Sequence, residues 1–151
     1  MNIKIVRITQ ENYNKFDDMV CWRIKGKEKG EKTSSEETFL SEENKKNLQN
    51  KNLYVFALEK DSKYIGWISL IYMPKIGLWK NGILFIDELW VSPEYRNNGF
   101  AQILMDKAKE LKKELKAIKI RLYVDTNNKS AINLYEKNGL KKFGETFFMQ
   151  E

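Results

Sequence analysis

The segment that most constrains the fold is residues 89–101, Leu-Trp-Val-Ser-Pro-Glu-Tyr-Arg-Asn-Asn-Gly-Phe-Ala, which joins an apolar strand to a helix through a basic turn. Residues 101–115 then place apolar side chains at helical spacing along one stripe. A short apolar run follows at residues 118–124. A strand, a helix of this length and a second strand predict a parallel crossover. The chain is therefore expected to fold as an α/β (α+β) domain.

The turn between this strand and helix has the chemistry of an anion-binding loop. The first N–H groups of a helix lack partners within the helix, and the positive end of the helix dipole lies beside them. Gly99 lets the backbone approach a phosphate without an intervening Cβ, and Arg96 adds a permanent charge. A plain connection with a solvated arginine explains these residues equally well. Both interpretations stay open on these features alone.

The remaining elements follow from apolar periodicity and turn residues. Asp61 and Ser62 lie between two apolar runs and predict a hairpin. The predicted elements in chain order are strand 3–8, helix 11–24, helix 34 or 35 to about 50, strands 53–58, 64–72 and 82–91, helix 101–115, strand 118–124, helix 127 or 128 to 138, and strand 143–149. This order, β-α-α-β-β-β-α-β-α-β, predicts one domain over residues 1–151.

The composition excludes several chemistries. The 151 residues, 42% of them apolar, are sufficient for one domain with a substantial core. The chain has no histidine, which removes Ser-His-Asp and Cys-His sites and most zinc sites. Acid and base chemistry must then come from Glu, Asp, Tyr or Lys, and no metal site is expected. Cys21 cannot form an internal disulfide and is interpreted as a packing residue.

The net charge of +6 would suit nucleic acid, a membrane surface or a polyanionic cofactor. Much of the excess comes from lysines along one helix, which is typical of a solvated face: Lys107, Lys109, Lys112, Lys113 and Lys116. No nucleic-acid-binding module is recognised, and no apolar run is long enough to cross a bilayer. The N-terminal residues alternate like a strand and do not resemble a signal peptide. We expect a cytoplasmic protein without nucleic-acid or membrane partners.

Residues 89–101 and 128–140 together resemble the GNAT superfamily of acyl-CoA-dependent N-acyltransferases. The first is similar to its acetyl-CoA loop, whose core is Arg or Gln, two residues, Gly, one residue, and Gly or Ala. The second, Asn-Lys-Ser-Ala-Ile-Asn-Leu-Tyr-Glu-Lys-Asn-Gly-Leu, resembles Asn-x-x-Ala-x-x-Leu-Tyr-x-x-x-Gly-Phe. Ala101 replaces the second glycine and Leu140 replaces the usual aromatic residue. The two motifs stand in the family's order, about thirty residues apart, and the resemblance implies a GNAT-like mixed central sheet.

The resemblance implies that acetyl-CoA is a co-substrate. Its pyrophosphate would bind the amides of residues 96–101, and its pantetheine arm would pair with the strand edge at 89–91. A backbone N–H at Leu89 or Val91 would stabilise the oxyanion. Asn128 would contact the pantetheine arm, cap its own helix, or do both. The implied donor-binding residues are Leu89, Trp90, Val91, Arg96, Asn97, Asn98, Gly99, Phe100, Ala101, Asn128 and Tyr135.

The resemblance also implies direct attack of an amine on the thioester carbon. Tyr135 matches the position that in many relatives donates a proton to the CoA sulfur, and the alternative is a tyrosine packed in the core. Asp87 and Glu88 lie where relatives often keep a carboxylate that deprotonates the acceptor ammonium. Strand alternation sends these two to opposite faces, and we choose Glu88 as the base. The non-catalytic alternative is an ion pair with a surface lysine.

The acceptor pocket is expected between the first two helices, the loops 25–35 and 74–81, and the last strand. Trp79 in the second loop is either a substrate contact or a core residue. Acidic residues in these segments favour a cationic acceptor: Glu28, Glu31, Glu36, Glu37, Asp87, Glu88 and Glu145. A small-molecule primary amine is the first choice of acceptor. The alternative acceptor is a protein or peptide amine. The alternative functions are a non-catalytic CoA-binding module and a basic nucleic-acid-binding domain. A homodimer could form through the Trp79 loop or the last strand.

Overall fold

The computed structural model describes residues 2–26, 35–77 and 80–151, with the backbone alone for residues 35–40. The elements in chain order are β1 (Ile3–Arg7), α1 (Tyr13–Lys25), α2 (Ser35–Asn47), β2 (Leu53–Lys60), β3 (Lys63–Met73), β4 (Ile83–Val91), α3 (Phe100–Glu114), β5 (Ile120–Arg121) and α4 (Lys129–Lys137). Strands β1 to β4 are antiparallel neighbours in that order, and β5 pairs parallel with β4. The mixed sheet and the parallel crossover confirm the predicted fold class.

The two faces of the sheet carry separate cores, because alternate residues of a strand point to opposite sides. Helix α3 covers one face, where Leu104, Met105 and Ala108 are fully buried against β2, β3 and β4. Helix α1 covers the other face, which is rich in aromatic residues. Within residues 2–26, 35–77 and 80–151, no helix is long and apolar enough to cross a bilayer.

A bulge in β4 decides which of its side chains reach each core. Ile86 lies opposite Leu70 and Glu88 lies opposite Ser69, so Asp87 has no partner in β3. The extra residue shifts the alternation, and beyond it Trp90 joins the core under α1. Glu88, two residues earlier, lies on that same side of the sheet.

The pairing of β4 with β5 is short, and this leaves part of β4 open. The two strands pair only at Leu84 with Ile120 and at Phe85 with Arg121. Among the described residues, no strand lies beside the outer edge of β4 over residues 86–91. An unpaired strand edge presents backbone groups that an extended ligand can bind.

The predicted last strand over residues 143–149 is wrong. The chain has neither helix nor strand after Leu140, and Phe143, Phe147 and Met149 are 92%, 93% and 86% exposed. An alternating pattern forms a strand only where a neighbour supplies backbone hydrogen bonds and a core covers one face. Strand β5 is also shorter than the predicted 118–124, and its two residues offer the terminal segment little to pair with.

Glu59 in β2 provides a stability prediction, because it is only 7% exposed and binds two lysines. Lys15 Nζ lies 2.6 Å and Lys4 Nζ 2.9 Å from its oxygens, and these contacts lower the pKa of the carboxyl. The stabilisation is therefore full above the unfolded-state pKa and is lost as the pH falls through the lower folded value. We expect Glu59→Gln to lower the free energy of unfolding by about 1–3 kcal/mol at pH 7.

When urea unfolding is measured at several pH values, this loss should stay constant from pH 7 down to the ordinary carboxyl pKa of 4.5 and shrink below it, towards pH 3. Glu94→Gln is the matched control, since Glu94 is exposed and no described ion pair includes it. An equal loss for Glu59→Gln at both ends of the pH range would contradict the ion-pair explanation.

Candidate active site

The turn before α3 presents a run of unpaired backbone N–H groups. Asn97 and Gly99 have positive φ angles of 61° and 79°, and Gly99 is the N-cap of α3. No hydrogen bond to any described residue has the amide N–H of residues 97–101 as its donor. Left-handed residues within such a turn direct successive N–H groups into a concave anion site. With the helix dipole behind it, the loop has the geometry and the charge that suit a phosphate group.

Arg96 and Asn98 hold this loop in shape. Arg96 Nε donates to the carbonyl of Val91 at 2.9 Å, which links the end of β4 to the turn. Asn98 Nδ2 donates to the carbonyls of Arg96 at 2.8 Å and Tyr95 at 3.3 Å. The other guanidinium N–H groups of Arg96 have no partner in the part of the chain that the structure describes, so they remain available to phosphate oxygens.

The predicted donor-binding residues at the end of β4 have buried or half-buried side chains, which leaves mainly their backbone groups to face a ligand. Trp90 is 9% exposed, and its ring lies 5.0 Å from that of Trp67 and 6.0 Å from that of Trp22. Val91 is buried and Leu89 half-buried on the side of α3. Phe100 is likewise 6% exposed, so at residue 100 too only the backbone N–H can face a ligand.

Helix α4 carries the second motif. Asn128 Oδ1 accepts the N–H of Ala131 at 3.1 Å, so the capping role of Asn128 is confirmed. Its contact with a pantetheine arm stays a prediction. Tyr135 is half-buried against the α3 core, and this burial raises the pKa of its phenol. Its hydroxyl forms no hydrogen bond within the described residues, so the proton is available to a ligand.

A reciprocal pair of amides fastens α4 to α3. Gln102 Nε2 donates to Asn138 Oδ1 at 2.7 Å, and Asn138 Nδ2 donates to Gln102 Oε1 at 2.9 Å. Asn138 Nδ2 also donates to the carbonyl of Leu134 at 2.8 Å. Because α4 itself has no fully buried residue, this pair helps to set the position of Tyr135. No role was predicted for Gln102, whose only signal in the sequence is a polar side chain in the first turn of an apolar helix.

Glu88 of β4 lies beside the C-terminal end of α1, where it forms an ion pair with Arg23. Arg23 Nη1 lies 2.5 Å from Glu88 Oε2, with the two side chains 39% and 42% exposed. The guanidinium also stacks over the ring of Trp67, 5.3 Å from its centroid. Asp87 is the unpaired residue of the β4 bulge, and its side chain is exposed to solvent. The non-catalytic alternative predicted an ion pair between this carboxylate and a surface lysine. The structure has an ion pair, but its partner is Arg23.

Several residues predicted for the acceptor pocket fall outside the described part of the chain. These are residues 27–34, which include Glu28 and Glu31, and Trp79. The side chains of Glu36 and Glu37 are also not described. Glu145 lies in the exposed terminal segment, where no strand brings it to the other site residues.

Known proteins resemble this chain in sequence and in fold. The sequence profile of the Acetyltransferase (GNAT) family matches residues 16–140, well over half of the chain. The chain belongs to the GNAT family. Within the family, 75 residues are 28% identical to the thialysine N-epsilon-acetyltransferase of Bos taurus, covering 50% of this chain and 44% of that protein. The chain spans less than half the length of the curated relatives it matches.

Solved GNAT structures share the fold over the whole chain. AAC(6')-Iy in complex with the bisubstrate analogue CoA-S-monomethyl-acetylneamine has a TM-score of 0.76 at 14% identity, covering 100% of this chain and 99% of that one. The ribosomal-protein-alanine N-acetyltransferase of Brucella melitensis biovar Abortus 2308 has a TM-score of 0.75 at 16% identity, with both chains covered fully. At these identities the likeness concerns the fold.

Proposed function

We propose that this GNAT protein transfers an acetyl group from acetyl-CoA to a primary amine of a small molecule. The observation that carries the proposal is the pair of binding surfaces on either side of Val91. The unpaired N–H groups of residues 97–101 suit a pyrophosphate, and the open edge of β4 over residues 86–91 suits a peptide-like pantetheine arm. Acetyl-CoA carries both groups, joined in that order.

The reaction needs a neutral amine, an oriented thioester and a proton for the departing thiolate. Glu88 would take a proton from the acceptor ammonium, directly or through water. The amine would then attack the acyl carbon, with a backbone N–H at Leu89 or Val91 stabilising the oxyanion. Tyr135 would donate its proton to the CoA sulfur as the carbon–sulfur bond breaks. The raised pKa of its phenol keeps that proton in place at physiological pH.

The choice of a small molecule over a protein acceptor rests on the relatives. Both AAC(6')-Iy, bound to an acetylneamine analogue, and the thialysine enzyme are described with small amines. The ribosomal-protein-alanine enzyme has the same fold, so a protein or peptide acceptor is the second candidate. A cytoplasmic location and a homodimer remain predictions.

Thermal unfolding with acetyl-CoA tests the donor site. At a ligand concentration a hundredfold above Kd, Tm should rise by about 5–10 °C. S-Acetylpantetheine lacks the pyrophosphate and should raise Tm far less at the same concentration. An absence of any shift with acetyl-CoA would refute the proposal.

Thiol release tests the transfer itself. Acetyl-CoA is incubated with a library of small amines and with peptides bearing free N-termini, and the released CoA thiol is measured. We expect release with small amines. Tm stabilisation without thiol release from any acceptor would instead indicate a CoA-binding module, and release with peptides alone would favour the protein acceptor.

The amide pair between α3 and α4 gives a prediction on positioning. Gln102→Ala and Asn138→Ala should each lower kcat by about 10-fold, because a displaced α4 moves Tyr135 away from the thioester. The double variant should be little worse than either single variant, since both remove the same interaction. Steady-state thiol release on all three variants checks this. Full additivity of the two effects would show that the residues act separately.

A further inference from the structure

The structure places a cation in direct contact with the proposed base, and this contact bears on the choice of acceptor. We infer that Arg23 is a specificity-determining residue that selects acceptors carrying a carboxylate close to the reacting amine. The inference rests on the proposed function, because it takes the face of the sheet that holds Glu88 as the acceptor side.

Arg23 is held in a defined position by two contacts. Its Nη1 binds Glu88 Oε2 at 2.5 Å, and its Cζ atom lies 5.3 Å from the centroid of the Trp67 ring. Trp67 is 3% exposed and packs against the rings of Phe16 and Trp90, so the platform under the guanidinium is rigid. A fixed guanidinium loses little further freedom when it binds a ligand.

Most of the hydrogen-bonding capacity of Arg23 is unused. A guanidinium has five N–H donors, and the hydrogen bond to Glu88 is the one that the described residues provide. Its side chain is 39% exposed, so the remaining donors can be reached from solvent. A carboxylate is the ligand whose two oxygens match this forked arrangement.

Nearby lysines on this side of the sheet have other contacts. Lys15 binds Glu59 at 2.6 Å, and Lys63 lies over the Trp22 ring at 4.6 Å. Arg23 is the cation that contacts Glu88 directly. An acceptor ammonium that approaches Glu88 must therefore come close to a positive charge of its own sign.

A carboxylate on the acceptor removes this conflict. It would bind the unused donors of Arg23 while the amine meets Glu88, so that two opposite pairs lie side by side. An acceptor with an amine alone must share Glu88 with Arg23 or displace the guanidinium from Trp67. The charge pattern thus favours a zwitterion over a simple cation. Arg23 attracts the carboxylate of the first and repels the ammonium of the second, and both contacts contribute to the discrimination.

The short distance between Arg23 and Glu88 limits the distance between the amine and the carboxylate of the acceptor. Because the guanidinium and the Glu88 carboxylate are in contact, the complementary groups of the acceptor must also be neighbours. An α-amino or β-amino acid satisfies this, with the amine and the carboxylate one or two carbons apart. The inferred acceptor class is therefore amino acids acetylated on the amine nearest the carboxylate.

Matched acceptor pairs test this inference. The value of kcat/KM is measured by thiol release for phenylalanine against phenethylamine and for alanine against ethylamine. The wild-type protein should prefer each amino acid by 10-fold or more. In Arg23→Gln this ratio should fall to near one, mainly through a higher KM for the amino acid, and Arg23→Lys should keep part of it. Lys63→Gln is the matched control and should keep the wild-type ratio.

A binding measurement separates this inference from the proposed function. With acetyl-CoA saturating, phenylalanine should raise Tm of the wild type further but not that of Arg23→Gln, whether or not turnover occurs. A preference for the carboxylate-free amine, or an equal Tm response in both proteins, would overturn the inference. A complete absence of thiol release with the Tm difference intact would overturn the proposed function alone.

Discussion

Tyr135→Phe is expected to lower kcat by about 10²-fold with little change in the affinity for acetyl-CoA. The phenol is half-buried on α4, its hydroxyl has no partner among the described residues, and burial raises its pKa. Phenylalanine preserves the packing of the ring and removes only the proton donor. The measurement is steady-state thiol release at saturating acetyl-CoA, combined with the Tm shift that acetyl-CoA produces.

The pH dependence of kcat in the wild type follows from the raised pKa of Tyr135. A general acid works in its protonated form, and the pKa of Tyr135 lies above its usual value of 10. Loss of the tyrosine proton should therefore not reduce kcat between pH 7 and about pH 9. Tyr123→Phe is the control, because Tyr123 is 64% exposed and lies beyond β5. If Tyr135→Phe retained the wild-type kcat, Tyr135 would be a packing residue only.

Glu88→Gln is expected to have the second large effect, and its size should depend on pH. At pH 6.5 kcat/KM should fall by about 10²-fold, since the acceptor is then an ammonium that needs a base. Above the pKa of the acceptor the amine is already neutral, so the loss should be much smaller. Glutamine can still accept a hydrogen bond from Arg23, so the side chain should keep its place.

Two controls make the Glu88 experiment specific. Asp87→Asn changes the neighbouring carboxylate, which is exposed at the β4 bulge, and should leave the pH profile unchanged. The Tm rise caused by acetyl-CoA should be equal in both variants. A wild-type pH profile in Glu88→Gln, or a larger effect from Asp87→Asn, would remove Glu88 from the mechanism.

Features with a strong local cause were predictable. The stripe over residues 101–115 predicted α3, which spans Phe100–Glu114, and the hairpin of β2 and β3 turns at Asp61 and Ser62 as expected. The glycine turn at residues 96–99 and the cap of α4 at Asn128 also follow from near neighbours in the chain. In each case the decisive hydrogen bonds or packing contacts lie within a few residues.

Features that join distant segments were not predictable. Arg23 and Glu88 are 65 residues apart, and Gln102 and Asn138 are 36 apart, so no spacing rule connects them. The last strand was wrong for a related reason. Its alternating pattern was suitable, but a strand also needs a neighbour, and β5 is too short to be one.

The sequence by itself determined that a glycine turn with unpaired backbone N–H groups precedes α3, because the turn and the helix end are adjacent in the chain. It also determined the order of helices and strands along the chain up to α4. The tertiary structure alone decided that Glu88 faces α1, since one unpaired residue at the bulge changes the side of every residue after it. It also decided that Arg23 pairs with Glu88, because that contact exists only once α1 packs on the aromatic face of the sheet.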